Sequence, residues 1–466
     1  METPPITVVI LAAGLGTRMK SKKAKVLHRA GGATLLEHVV NTALTVAPPE
    51  RVYAVIGHQA DQVRAELQGT GIQFLRQEEQ KGTGHALLCC RKEIERHQGL
   101  LLVLYGDCPL LRHSTLQRLI EQQQCSYGAG TVITTLLDNP TGYGRVVLDT
   151  EGNICAIVEE KAASDEQRLI CEINSGIYCL RSELLWKHID EIHPNPASGE
   201  YYLTDIIEIF SQHGYTVSTL RLADPNEVLG INTRIELATV DRIFRERKVQ
   251  ELMLDGVTIE RPETVTIDAR VRVGMDTVIE AFSQLLGNTS VGEDCRIGAG
   301  SIIRDSDLAD RVEVAPYTLI GTSRIETGAR IGPFARLRAD NHVGPDAQIG
   351  NFVELKKARV GAGSKAMHLA YLGDAVIGES SNIGAGTITC NYDGARKHET
   401  RIGDHSFVGS NSTLVAPLEI GAGSYIGAGS VITAPVPPGS LALGRSRQVV
   451  KEGWAEKRQM EKEPVK

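Results

Sequence analysis

The residues best placed to do chemistry open the chain. Val8-Val9-Ile10-Leu11 is an apolar run of strand length that feeds directly into Ala12-Ala13-Gly14-Leu15-Gly16-Thr17-Arg18, with Lys25 shortly after. A glycine turn at the end of a strand lets backbone N–H groups close on a phosphate, and Arg18 and Lys25 supply charge to neutralise it. The Walker loop is excluded because Gly-Lys-Ser/Thr is missing. The dinucleotide fingerprint is excluded because Met19 stands where a third glycine is needed. The stretch reads as a triphosphate site of another kind. Asp107, in Tyr105-Gly106-Asp107, closes a second apolar run and is a hard oxygen ligand suited to Mg²⁺. A separate group lies far down the chain, where His368 follows Glu354 and Lys356.

The elements that must position these residues are of two kinds. From residue 6 to about 230, short apolar runs (Val8 to Leu11, Val52 to Ile56, Leu100 to Tyr105, Thr131 to Leu136) alternate with helical patterns, which predicts a mostly parallel sheet covered by helices. Gly14 and Asp107 then fall at carboxyl ends of strands, where such sheets bind ligands. Thr233-Arg234-Ile235-Glu236 has capping-box spacing and opens a polar helix striped by Leu237, Val240 and Phe244, read as an arm between domains. Beyond it the apolar period becomes six: Ile325, Ile331, Leu337, Val343, Ile349, Leu355, and again Ile402, Val408, Leu414, Ile420, Ile426, Ile432. Six is a multiple of the strand period but not of 3.6, so these side chains point to one interior from successive flat strands. Three hexapeptides make a coil of roughly 18 residues, giving about ten coils of a parallel β-helix, with small residues expected at its corners. Two interruptions are expected to leave it as loops, Lys365 to Tyr371 and Thr389 to Thr400. A coil places His368 beside Glu354 and Lys356, although they are distant along the chain.

Composition narrows the function. The chain has 466 residues, 5% aromatics, 47 glycines and a net charge of −7, and carries no long basic block, so phosphate-bearing small molecules are expected rather than nucleic acid. Nine scattered cysteines without a Cys-x-x-Cys pair read as reduced thiols. No stretch is apolar enough to span a membrane, and a cytoplasmic protein is expected.

The opening run resembles the sugar-1-phosphate nucleotidyltransferases. Further pieces follow in that family's order: Gln77, Gly82-Thr83-Gly84-His85-Ala86, Tyr105-Gly106-Asp107, Thr141-Gly142-Tyr143-Gly144-Arg145, Glu159, Asn174-Ser175-Gly176 and Gly230-Ile231-Asn232. The resemblance implies uridylyl transfer from UTP to an N-acetylhexosamine 1-phosphate. Leu11, Ala12, Ala13, Gly14, Lys25, Gln77, Gly82, Thr83, Tyr105 and Gly106 would bind the nucleotide. Gly144, Glu159 and Asn174 would bind the sugar, and Asp107 and Asn232 would be the Mg²⁺ ligands. Ala24 departs from the family's usual proline before the lysine.

The six-residue repeats resemble the hexapeptide acyltransferases, and that resemblance alone implies a left-handed β-helix. The set Arg338, Gly350-Asn351-Phe352-Val353-Glu354, Lys356, His368, Tyr371, Asn382, Asn391-Tyr392 resembles the acetyltransferase half of the bifunctional uridyltransferase and acetyltransferase family that makes UDP-N-acetylglucosamine. His368 would then be the general base for the glucosamine amine, oriented by Glu354. Arg338, Lys356, Tyr371 and Asn382 would hold glucosamine 1-phosphate, and Ala385, Asn391, Tyr392, Ser410, Ala428 and Arg445 would hold acetyl-CoA. The resemblance covers nearly the whole chain and implies a homotrimer. The expected division is a nucleotidyltransferase domain at 1–232, a linker helix at 233–254, a β-helix at 255–450 and a charged tail at 451–466. Two rival readings, a single-activity nucleotidyltransferase and a non-catalytic assembly subunit, each leave one constellation without a purpose.

Overall fold

The computed structural model describes residues 4–196 and 199–460; Met1 to Thr3 and the end of the charged tail lie outside the described residues. Contacts divide the chain into two compact units, with the division between Arg245 and Glu246.

The first unit is built on a mixed sheet. Its spatial order is Val217–Leu222, Gly130–Leu136, Glu172–Arg181, Leu100–Tyr105, Ile6–Leu11, Val52–Ile56 and Gln73–Arg76. Glu172–Arg181 runs antiparallel to both neighbours and the other pairings along this path are parallel. The unbroken apolar run of Ile6–Leu11 follows from its place: Val8 and Ile10 enter one core cluster, while Val9 and Leu11 enter another on the opposite face. A strand covered by helices on both sides has no use for polar alternation. Its parallel neighbours bring Leu11 beside Val55 and Tyr105, so the loop after Leu11 and the turn at Asp107 open at the same sheet edge.

The helix Arg234–Leu254 begins as the sequence predicts. Thr233 Oγ1 accepts from Glu236 N at 3.3 Å and Glu236 Oε2 accepts from Thr233 N at 2.7 Å, closing the capping box. Val240 packs with Met19, Leu35 and Ile231, and Phe244 stacks on His38 at 4.1 Å, while Val249 and Leu252 belong to the core of the second unit.

The second unit consists of three parallel sheets, with 11, 10 and 9 strands among the described residues. Successive strands visit the three faces of a prism in turn, and Ile331, Leu337, Val343, Ile349 and Leu355 all point into one interior. This is the left-handed β-helix of hexapeptide repeats. The corners differ from expectation, because many are not glycine. Tyr317, Phe334 and Phe352 take left-handed backbone at φ 58, 55 and 57. Their rings stack coil on coil at 5.4 and 5.5 Å. A left-handed residue costs about 1–2 kcal/mol and a stacked pair returns about 0.5–1.5, so stacking offsets much of the cost.

The two predicted interruptions fare differently. Between Asn391 and Thr400 the chain does leave the prism, with Tyr392 bridged to Lys397, and the ladder resumes with Thr400 beside Ala375. Lys365 to Tyr371, in contrast, stays in the ladder: Lys365–His368 pairs with Gln348–Asn351, and Tyr371 pairs with Glu354. The interior there is filled by Ala366 and Ala370, small residues that do not announce a repeat.

The exposed Trp454 lies in the helix Trp454–Met460, with Arg458 over its ring at 5.4 Å.

Candidate functional site

The opening strand and its neighbours end around a cleft of about 610 Å³. Leu11, Ala12, Ala13, Gly14, Lys25, Gln77, Gly82, Thr83, Tyr105, Asp107, Glu159, Asn174 and Asn232 line it, all anticipated from sequence. At Gly14 none of the described residues stands within 4 Å of the place a Cβ would occupy, so the loop presents bare backbone. Gly82 is required for conformation as well as space: its φ is 100, and a Cβ there would sit 2.5 Å from the Tyr201 carbonyl oxygen.

The charged centre of the cleft is compact. Lys25 Nζ donates to Asp107 Oδ2 and, at 3.2 Å, to Asn232 Oδ1. Arg18 also donates to Asn232 Oδ1, at 2.8 Å, so it braces the loop and does not line the cleft. Asn232 is fixed from behind because its backbone N–H donates to Glu236 Oε2 at 2.6 Å. Two oxygen donors from distant segments therefore already converge on one cation, the Lys25 ammonium.

At the other end, Glu159 accepts from Thr204 Oγ1 at 3.4 Å, and burial raises its pKa. Burial also pushes the Tyr105 hydroxyl well above its usual value, with Thr83 as its hydrogen-bond partner. Gly144 and Gly106 stand behind the wall, Gly144 accepting from Asn174 N at 2.9 Å and Gly106 donating to Leu11 O at 3.0 Å. Gln77 is buried, donating to Gly82 O at 3.1 Å with His85 Nδ1 at 3.0 Å. Glu200, Tyr202 and Thr204 line the cleft and were not anticipated. They precede the helix Asp205–Gln212 in a stretch without apolar periodicity, where the adjacent Tyr201 and Tyr202 were the available signal.

The second unit carries the other constellation. His368 is exposed, and its Nδ1 lies 2.6 Å from Asn351 Oδ1. Glu354 instead accepts from Arg338 at 3.1 Å, so the orienting partner of the ring is Asn351 and not the expected Glu354. The reason is register: Asn351 is directly paired with His368, whereas Glu354 is paired with Tyr371 on the next face.

The ladder also aligns residues that are far apart in sequence. Ala366, Ile383, Val408 and Ile426 are successive partners, so His368, Ala385, Ser410 and Ala428, each two residues further on, form one lane along a corner. At a strand spacing of about 4.8 Å, that lane runs about 14 Å from His368 to Ala428. Arg338 and Lys356 stand side by side on the second face, with Tyr371 beside Glu354. Asn382 is not brought to them, since it lies on the first face between Lys365 and Phe407. Asn391 donates to Asp374 Oδ2 at 2.5 Å at the base of the loop, Tyr392 is exposed within it, and Arg445 follows the final strand. Sequence reasoning also missed Lys397, which comes back from this loop to Lys356; the hydrogen bond to Lys356, and then the repulsion between the two ammonium groups, lowers the Lys397 pKa.

The first unit has the sheet of a nucleotidyltransferase with a cleft at its strand ends, and the second is a hexapeptide transferase prism. Residues 8–159 match the family described as MobA-like NTP transferase domain. Residues 270–305 and 399–434 match the bacterial transferase hexapeptide family of six repeats. The chain is 57% identical over 454 residues to the Bifunctional protein GlmU of Solibacter usitatus, covering 97% of each. It is 50% identical over 462 residues to that of Koribacter versatilis, covering 98% of each. It is 48% identical over 462 residues to that of an Anaeromyxobacter species, covering 98% of this chain and 94% of the relative. The chain belongs to the GlmU family. It is a bifunctional enzyme with uridyltransferase and glucosamine-1-phosphate acetyltransferase activities.

Proposed function

We propose that the two sites act in sequence, with roles carried by the residues described above. The second unit acetylates glucosamine 1-phosphate from acetyl-CoA, and the first transfers UMP from UTP to the resulting N-acetylglucosamine 1-phosphate, releasing pyrophosphate. The observation that carries this reading is the convergence of Lys25, Asp107 and Asn232 in one cleft, together with the His368 to Ala428 lane in the other unit.

In the uridylyl step the attacking sugar phosphate is already ionised, so no protein base is needed. The bare backbone at Gly14 receives phosphate oxygens, Lys25 neutralises their charge, and Arg18 holds Asn232 in place. Asp107 and Asn232 offer the hard oxygen donors that Mg²⁺ selects, and their convergence on the Lys25 ammonium fits them to hold that ion. Mg²⁺ bound there would draw charge from the substrate phosphates. Glu159 and Asn174 accept and donate to sugar hydroxyls.

In the acetyl step the amine must lose a proton before it attacks the thioester. With Asn351 Oδ1 accepting from His368 Nδ1–H, the proton is held on Nδ1 and Nε2 is left as the base. The pair Arg338 and Lys356, with Lys397 returning beside it, suits the sugar phosphate. Small residues at Ala385, Ser410 and Ala428 leave room for an extended thioester arm along the lane, and Arg445 stands beyond it for the nucleotide phosphates.

A homotrimer is part of this proposal. Asn382 stands on a different face from Arg338, Lys356 and Tyr371, which supports a site completed by a neighbouring chain. Nine free cysteines and substrates of central metabolism support a cytoplasmic enzyme. Product analysis with glucosamine 1-phosphate, acetyl-CoA, UTP and Mg²⁺ tests the whole reading; formation of UDP-N-acetylglucosamine is expected. Failure to release CoA would sink the second site, and failure to release pyrophosphate the first. A monomeric mass with full acetyl transfer at the same dilution would refute the trimer.

A further inference from the structure

A third cluster of chemistry-bearing residues lies in the first unit, apart from the residues of its cleft. His188 ends the helix Ser182–His188, Glu191 ends the turn that follows, and His213 caps the carboxyl end of the helix Asp205–Gln212. One nitrogen from each ring and a carboxylate oxygen lie within 4.8 Å of one another. At present Glu191 bridges the two rings, with Oε1 2.6 Å from His188 Nδ1 and Oε2 2.9 Å from His213 Nε2. The ring centroids are only 4.2 Å apart.

We propose that His188, Glu191 and His213 form a binding site for a divalent transition-metal ion of the Zn²⁺ class. Two imidazoles and one carboxylate are the borderline donor set that such an ion prefers over Mg²⁺ or Ca²⁺. The surroundings favour positive charge independently of the donors, because two helix carboxyl ends meet here and each carries negative partial charge. One ligand is already fixed: His188 is buried and packed at steep ring angles against Phe210 and Tyr215, and among the described residues its Nε2 has no hydrogen-bond partner, so Nδ1 is the nitrogen that faces a polar group. The other two are free to adjust. Glu191 and His213 are each 45% exposed, and small side-chain rotations bring their donors to the roughly 3.4 Å separation of tetrahedral ligands at about 2.1 Å from an ion. Water would fill the fourth position.

The site has a structural consequence for the cleft. Its ligands bracket the segment that supplies Glu200, Tyr202 and Thr204 to the cleft wall. An ion there ties the two ends of that segment together, acting as a staple and not as part of the transfer chemistry.

The test uses the full chain, stripped with a chelator and then equilibrated with Zn²⁺, comparing wild type, His213→Ala, Glu191→Ala and Asp107→Ala. Wild type and Asp107→Ala are expected to retain an ion that His213→Ala and Glu191→Ala bind at least about 10-fold more weakly. Zn²⁺ is expected to raise the melting temperature of wild type by several degrees and to leave that of His213→Ala unmoved. His213→Ala should keep both transferase activities. His213 is half-exposed, so its truncation leaves the core intact, whereas Glu191→Ala also unpairs the buried His188; circular dichroism of the apo forms checks the fold of each. Equal zinc in wild type and His213→Ala would overturn the proposal. So would an ion lost only in Asp107→Ala, which would assign the zinc to the cleft.

Discussion

Replacing Asn351 with Ala separates two accounts of how His368, proposed above as the acetyl-transfer base, is made ready. The structure pairs Asn351 Oδ1 with His368 Nδ1 at 2.6 Å, and in that proposal this bond holds the proton on Nδ1. A neutral hydrogen bond is worth about 0.5–1.5 kcal/mol net, which at about 1.36 kcal/mol per tenfold is a drop of about 2- to 12-fold in kcat. Removing the base itself in His368→Ala should cost about 10²- to 10⁴-fold. The assay is CoA release from acetyl-CoA with glucosamine 1-phosphate, followed by a thiol reagent. Uridylyl transfer from supplied N-acetylglucosamine 1-phosphate should be unchanged in both variants, since the ring lies in the other unit. Raising the pH should partly rescue His368→Ala, because more of the amine is then already deprotonated, and should rescue Asn351→Ala less. If Asn351→Ala runs at the wild-type rate while Glu354→Gln falls by the expected amount, the orienting role belongs to Glu354 and the tautomer argument fails.

Three further outcomes follow from the first unit. Asp107→Ala should abolish UDP-sugar formation and leave CoA release intact; equal loss of both would refute two independent sites. Glu159→Gln should stabilise the unit at neutral pH while raising the KM for the sugar phosphate. The sign follows from burial, which raises the folded pKa above the unfolded value of about 4.3, so wild-type stability falls as pH climbs through that window and is flat above it. The gap between variant and wild type should therefore close as the pH approaches 4, and a pH-independent gap in thermal melts would contradict it. Gly82→Ala forces a side chain into left-handed backbone and against the Tyr201 carbonyl, so uridylyl transfer should fall at least tenfold with the acetyl half unaffected. Wild-type uridylyl kinetics in that variant would show the turn to be tolerant.

The parts legible in the sequence were those whose chemistry and geometry are local. Val8 to Gly14 declares strand and turn within a single stretch, and Thr233 to Glu236 declares its own cap. Arg18 was read as a phosphate ligand because charge is visible in sequence, but its reach to Asn232 depends on where the end of the domain returns. Glu200, Tyr202 and Thr204 were missed for the same reason. Their segment has neither period nor glycine motif, and only tertiary folding lays it over the strand ends. His368 was singled out in the sequence, but its backbone setting was misread. Ala366 and Ala370 fill the prism interior with so little side chain that the large-apolar repeat breaks off in the sequence, although the backbone ladder passes straight through.

The β-helix explains why its site is harder to read than the cleft. A coil converts a sequence offset into a lateral position, so residues one coil apart become neighbours only when they occupy the same phase. His368, Ala385, Ser410 and Ala428 share a phase even though the loop after Asn391 intervenes, because the ladder absorbs that insertion and resumes in register. Asn382, only a few residues before Ala385, belongs to another part of the same face, and Arg338 to another face entirely. In the homotrimer proposed above, a ligand that takes up the lane, the paired cations and Asn382 at once would draw on more than one prism. That proposal predicts that Asn382→Ala and His368→Ala subunits, each weak alone, recover acetyl transfer when mixed and reassembled. Mixed trimers showing no recovery over the separate variants would place both residues in a site built by one chain.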